Sequence, residues 1–290
     1  MKSKVSYIAA MLIFGSIGLP VRALGLPSGW VAFLRGALGC LFLLALHRPK
    51  LQGLRKNLLP LAVSGAAIGL NWICLFEAYR YTTVAVATLI YYLAPVLVLL
   101  AAPFLLKERL TPFRLLTVVL ALVGMGAVSG VLPRGRFHGG AGILLAAAAA
   151  VLYATVILIN RFIREMEAVD RTFYQLTLAA LAVFPYALLR EGVLSPARIG
   201  LREGALLLLL GVVYTGLAYW LYFEGVGNLP SHAAAMLAYL DPVAALVLSA
   251  LVLREGMNGW QIGGAVLILG TLIWSEWRNF SCNSEKIVVE

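Results

Sequence analysis

The sequence predicts an all-α polytopic membrane protein, with ten transmembrane helices arranged as two inverted five-helix repeats. Three observations carry that expectation. Of the 290 residues, 62% are hydrophobic and only 12% are charged, whereas a soluble domain carries about 25% charge. Too little charge is present to coat a water-facing surface, which argues against a soluble enzyme, a nucleic-acid binder and a disordered chain. The apolar residues also gather in runs of spanning length, and the chain matches itself when displaced by 147 residues.

A helix crossing the hydrocarbon core needs about 20 predominantly apolar residues. Such runs are expected near 5–24, 28–46, 58–78, 82–104, 112–131, 140–160, 172–190, 204–224, 231–253 and 258–277. The first, behind Lys2 and Lys4, is read as a retained helix: nine more spans follow, and no clear small-x-small cleavage site closes it. In the third, Gly65 and Gly69 form a GxxxG spacing that lets helices approach closely. It supports packing within the bundle more than association of chains, so a monomer or weak dimer is expected. In the fourth and ninth, Pro95 and Pro242 each remove an amide and free an upstream carbonyl, which is tolerated where helices line a cavity. Cys40, Cys74 and Cys282 form no CxxC pair and are read as small packing residues.

Orientation follows from lysine and arginine in the connections. With the N-terminus cytoplasmic, 14 basic residues fall in inside segments and 8 in outside segments, while Arg35 lies within a span. Both termini are therefore expected in the cytoplasm, with the chain in the cell's inner membrane. The net charge of +10 is spread between apolar runs, where it meets lipid headgroups rather than nucleic acid.

At a displacement of 147, residues 76–108 fall on 223–255 with 10 identities in 33 positions and no gap. Phe76-Glu77 meets Phe223-Glu224, Tyr92-Leu93 meets Tyr239-Leu240, Pro95-Val96 meets Pro242-Val243, and Glu108 meets Glu255. Apolar composition alone does not easily align prolines, aromatics and glutamates together. The expected division is 1–130 as the first unit, 131–278 as the second and 279–290 as a cytoplasmic tail. Five spans is an odd number, so the second unit enters from the opposite side. Inverted repeats characterise carriers that work by alternating access.

The segments Leu89–Val98, Leu105–Pro112 and the following span with Gly124 and Gly126 resemble the drug/metabolite transporter superfamily, and within it the EamA-like carriers. Leu237–Val243, Leu253–Gly256 and the span with Gly263, Gly264 and Gly270 repeat the pattern, and Arg35 fits the family's habit in the second span. The resemblance implies ten helices, a central cavity lined largely by helices 1, 3, 4, 6, 8 and 9, and movement of small organic solutes, often outward. The second unit departs from the pattern, with Gly256-Met257-Asn258 in place of Arg109-Leu110-Thr111 and Asp241 in place of Ala94. The latter implies an asymmetric site.

Asp241 is the sharpest candidate. A carboxylate near mid-membrane costs about 2.5–3.5 kcal/mol on insertion scales, so it faces a cavity or a partner. It is a candidate carrier of a coupling proton, a candidate attractor of a cation, or a polar bond at the Pro242 break. Tyr92 and Tyr239 are repeat mates, each three residues before a proline; each offers a ring face and a hydroxyl to a ligand, or packs at a kink. Trp72, Phe76 and Tyr79 share one helical face, as do Trp220 and Glu224, and Tyr153 is placed to project inward. These aromatics suit an organic cation or an aromatic solute, and equally an interfacial belt. Arg35 needs a partner or cavity water: a substrate carboxylate, a carbonyl or a helix end. Glu77 and Glu224 are read as interfacial. Glu108 and Glu255, at short turns before helices, are read as structural, and His232 as packing.

No phosphate-binding glycine loop, HExxH or nucleophile–base set is present in the sequence, so no cofactor and no enzymatic activity are expected. An intramembrane enzyme would need such a set. A non-transporting scaffold or receptor would have no reason for an inverted repeat. The expected function is secondary transport of a small organic metabolite, an amino acid or related amphipathic solute, in the export direction. The alternative is uptake of an organic cation such as a quaternary amine through an aromatic and acidic site.

Overall fold

A computed structural model of the protein describes residues 2–105, 112–128, 140–195, 199–226, 229 and 237–288. The architecture is all-helical, with no strand among the described residues. The helices are α1 (Lys2–Ser16), continued by α2 (Gly18–Ala23); α3 (Ser28–Leu46); α4 (Leu58–Tyr81); α5 (Val84–Tyr91) and α6 (Ala94–Leu105); α7 (Pro112–Val128); α8 (Gly140–Asn160); α9 (Ala168–Glu191); α10 (Leu201–Leu208); α11 (Ala218–Val226); α12 (Leu240–Leu251); and α13 (Gly259–Val288). A π-helical stretch, Leu209–Leu217, joins α10 to α11.

Among the described residues, six helical runs are long and apolar enough to cross a membrane: Lys2–Ala23, Ser28–Leu46, Arg55–Tyr81, Gly140–Asn160, Ala168–Glu191 and Leu201–Gly225. Four shorter apolar helices, Val84–Val98, Leu115–Val128, Leu240–Leu251 and Gly259–Ser275, fall where the fourth, fifth, ninth and tenth spans are expected. Both proline positions behave as their chemistry demands. The helical run breaks at Tyr92-Leu93 before Pro95 and at Tyr239 before Pro242. Local signals set several other boundaries. The Thr83 side chain accepts from the Val86 amide to start α5, and Asn258 and Gln261 cap each other reciprocally to start α13.

Packing is dominated by small residues. In lipid there is little hydrophobic drive between helices, so close backbone approach and dispersion hold the bundle. Gly65 and Gly69 lie against α9: a methyl group at Gly65 would press on Leu178 and the Gln175 carbonyl, and one at Gly69 on Val183 and the Ala179 carbonyl. The GxxxG spacing therefore serves packing inside this chain. Gly124 of α7 and Gly264 of α13 lie against each other's backbone, whereas Gly263 and Gly270 meet open space. Large side chains such as Leu59 and Val266 point outward, as suits contact with lipid.

The helix partnerships have an internal order. α4 packs on α8, and α1 on α11; α5 and α6 pack on α8, and α12 on α1; α4 packs on α9, and the π stretch on α3. Shifting every partner by half the chain exchanges the members of each couplet. α3 with α9, α7 with α13 and α5 with α12 map onto themselves.

At the end of the bundle that carries Lys2, connection 47–57 clasps connection 161–167. His47 meets Asp170 at 2.7 Å, Lys50 meets Glu167 at 2.5 Å and Lys56 meets Glu165 at 2.7 Å. Asn57 donates to the carbonyls of Gly53 and Arg164. The Lys56 ammonium holds the Glu165 carboxyl below its ordinary value, and Glu167 raises the Lys50 ammonium in turn. The Lys50–Glu167 and Lys56–Glu165 pairs are exposed and salt-screened, so each contributes little to stability, whereas Asp170 is buried beside His47.

Candidate functional site

The site lies where α1, α5, α8, α11 and α12 converge. Asp241 sits in the first turn of α12. Its position depends on Gly15 of α1, because a methyl group there would collide with the Asp241 carbonyl. Only glycine lets α1 run this close to the start of α12. The Tyr92 hydroxyl, at the end of α5, is within hydrogen-bonding reach of the Asp241 carboxylate. Tyr91 of α5, Tyr7 of α1 and Tyr153 of α8 lie close enough to feel its charge. Asp241 has no ion pair among the described residues.

The rings form two contact groups, Tyr91, Tyr92 and Tyr153 in one and Tyr7, Phe14, Tyr219, Tyr222 and Phe223 in the other. Tyr91 stacks on Tyr153 with centroids 5.1 Å apart, Tyr7 leans on Tyr222 at 5.4 Å, and Phe14 meets Tyr219 edge-on at 5.3 Å. Tyr91, Tyr92, Tyr219, Tyr222 and Asp241 are partly buried and Tyr153 is 36% exposed, so the group retains accessible surface.

Arg35 marks a second charged position. It lies seven residues into α3, about 10 Å along the axis, and is 3% exposed. Its Nε donates to the Thr215 hydroxyl at 3.0 Å. Thr215 in turn donates to the Leu210 carbonyl at 2.8 Å, five residues back, within the π stretch. The guanidinium lies over Trp72 at 4.1 Å and over Phe76 at 5.4 Å. Tyr79, Tyr91 and Tyr219 lie within electrostatic range of it, and Tyr79 and Tyr91 are within range of Asp241 as well.

At the bundle end opposite Lys2, a cleft of about 300 Å³ is lined by Arg22, Leu24, Ser28, Phe76, Tyr79 and Arg80, among others. Beside it Glu255 draws three segments together. One oxygen pairs with Arg22 at 2.6 Å; the other accepts the Val84 amide at 2.9 Å and the Ser249 hydroxyl at 2.5 Å. A carboxylate at a helix N-terminus is what the sequence led us to expect, but the helix is α5, 171 residues away. Glu191 likewise accepts the Gly29 and Trp30 amides at the start of α3.

The structure thus brings Tyr92, Tyr153 and Asp241 into one group and Arg35 with Trp72 into another, with Tyr79 buried between them. Tyr239 stands two residues before Asp241, partly buried against the main core. Trp220 also packs against that core, while its neighbour Tyr219 lies within electrostatic range of Arg35. Glu77 accepts from Ser28 at 2.6 Å and pairs with Arg80, and Glu224 accepts from Ser6 at 3.2 Å; both sit at helix ends. Glu108 and His232 lie outside the described residues. Sequence reasoning missed Tyr7, Tyr91, Tyr219 and Tyr222. Tyr91 adjoins Tyr92, and Tyr219 and Tyr222 stand one turn apart before Phe223, the mate of Phe76.

A profile of the EamA-like transporter family matches residues 3–130 and again 140–276. An uncharacterized transporter of Bacillus subtilis, YxxF, is 29% identical over 271 residues, covering 91% of this chain and 86% of the relative. A transporter of Archaeoglobus fulgidus is 28% identical, covering 95% and 96%, and protein PecM of Dickeya dadantii is 29% identical, covering 76% of each. A solved crystal structure, 23% identical, matches 93% of this chain and 95% of its own with a TM-score of 0.61, which shows a shared fold. With apolar helices throughout and the family pattern present in both halves, the chain is a multi-pass membrane protein and belongs to the EamA-like transporter family.

Proposed function

We propose that the chain is a secondary transporter that moves a small amphipathic organic metabolite, of the amino-acid type, out of the cell by alternating access. The observation that carries this reading is Asp241: a carboxylate without a counter-ion among the described residues, set in a tyrosine-lined interior within a membrane bundle. Such a residue answers to a solute or to a proton, and Asp241 is assigned the coupling proton, with Tyr92, Tyr239, Tyr79, Tyr153, Trp72, Trp220 and Arg35 around the solute.

The paired helix contacts support ten transmembrane helices in two inverted five-helix units, 1–130 and 131–278, which exchange inward-open and outward-open shapes. The Arg22–Glu255 cluster ties α2, α5 and α12 together at one end. The excess of basic residues in alternate connections supports a location in the inner membrane with both termini cytoplasmic. The inward use of Gly65 and Gly69 supports a monomer or weak dimer.

Purified protein in proteoliposomes tests the reading by counterflow against a panel of amino acids and quaternary amines, with and without a pH gradient. Amino-acid counterflow accelerated by the gradient is expected. Asp241→Asn should still exchange solute but should no longer accumulate it against a gradient. Transport of the quaternary amines alone would instead establish the organic-cation reading, which the same tyrosine-ringed carboxylate favours.

A further inference from the structure

We propose that Arg35 is the carboxylate-binding group of the transport site, so that the carried solute must bear a free carboxylate. This rests on reading the tyrosine-lined interior as the solute's route. The argument begins with the donors of the guanidinium. It has five N–H groups in one plane and cannot shed its charge. Trp72 and Phe76 hold the guanidinium of Arg35 in cation–π contact. One donor, on Nε, is used by Thr215. The N–H groups of Nη1 and Nη2 have no partner among the described residues.

A purely structural arginine at this depth would be expected to carry an acidic partner, because an unpaired buried charge is strongly destabilising. The polar neighbours here are neutral: one threonine and the tyrosines at positions 79, 91 and 219. They orient the guanidinium without cancelling its charge. What remains free is the in-plane Nη edge, the fork that matches a carboxylate bidentately. Thr215 and Trp72 act as positioning residues, one fixing the Nε edge and the other the ring plane. The π stretch contributes by turning Thr215 to bond Leu210 and face α3. The unpaired positive charge also disfavours a simple organic cation in the same space.

The test measures thermal stabilisation of the purified full-length protein by the common L-amino acids, by their carboxamides and by the corresponding amines that lack the carboxylate. In the wild type the acids should bind about tenfold to a hundredfold more tightly than the amides, the range expected for hydrogen bonds to a charged group. Arg35→Gln keeps a donor for Thr215 and should abolish the distinction, leaving acid and amide equally weak; Arg35→Lys should restore part of it. A structural role for Arg35 would lower the melting temperature without changing the acid-to-amide ratio. Amides or amines binding as well as acids in the wild type, or a preference for acids retained in Arg35→Gln, would overturn the proposal. The wild-type comparison stands even if the variant does not fold. Were no compound of any class to bind, the solute reading itself would fall and take the Arg35 assignment with it.

Discussion

Glu255 shows how one side chain can hold a carrier's halves in register. Its carboxylate meets Arg22 at the end of α2, the first amide of α5 and Ser249 near the end of α12. Glu255→Gln keeps an acceptor for Val84 but loses the charge opposite Arg22, while Glu255→Ala loses both. The alanine variant should be destabilised by about 1–3 kcal/mol and the glutamine variant by less, read as melting temperatures in detergent. Equal effects would mean that the amide bond contributes nothing. If Tyr239 lines the proposed solute route, Tyr239→Ala should weaken transport more than it weakens folding; a larger loss of melting temperature than of transport would assign it to the core against which it packs. Tyr92→Phe keeps the ring and removes only the hydroxyl that reaches Asp241. It should fold normally and transport about tenfold less well; unchanged transport would remove that hydroxyl from the site. Sequence alone singled out Asp241, Tyr92 and Arg35, because a charge or a kink within an apolar run is conspicuous. Tyr7 and Tyr222 were not legible, because one tyrosine in an apolar helix looks like any other until a second helix is laid beside it.

At the scale of the element, glycine decides which faces touch. Gly65 and Gly69 of α4 have a neighbouring helix within contact distance, whereas Gly263 and Gly270 of α13 have none. Gly69→Val should therefore lower stability by about 1–3 kcal/mol through overpacking against Val183. Gly270→Ala should be neutral or slightly stabilising, since alanine favours the helix and nothing obstructs its methyl group. Thermal unfolding of both variants checks the contrast, and a destabilised Gly270→Ala would contradict the open face. The breaks before Pro95 and Pro242 were readable from composition, because a proline's missing amide is a local fact. The π stretch was not. Residues 209–217 read as an ordinary apolar helix, and the wider turn coincides with the Thr215–Leu210 bond and the Arg35 contact, which are tertiary.

The whole molecule is tested by topology. Reporter fusions after residue 50 and after residue 286 should both read cytoplasmic, and a fusion near residue 135, in the connection outside the described residues, should read external. A cytoplasmic reading at 135 would break the inversion of the two units. Asp241 and its repeat mate Ala94 occupy equivalent places after a helix break, so backbone geometry does not demand a carboxylate there.

Length, composition and repeat pattern by themselves determined the solvent, the approximate spans, the duplication and the positions of the two proline breaks. Each of these depends on residues close together in the chain or on the average character of a segment. The tertiary structure alone decided that Glu255 caps α5 rather than its own helix, that Gly65 and Gly69 face α9, and that Arg35 has a threonine and two rings for neighbours instead of an acid. In a bundle where nearly every face is apolar, hydrophobic periodicity carries little information about which helix meets which; small residues and a few polar bonds make that choice, and their partners lie far away in sequence.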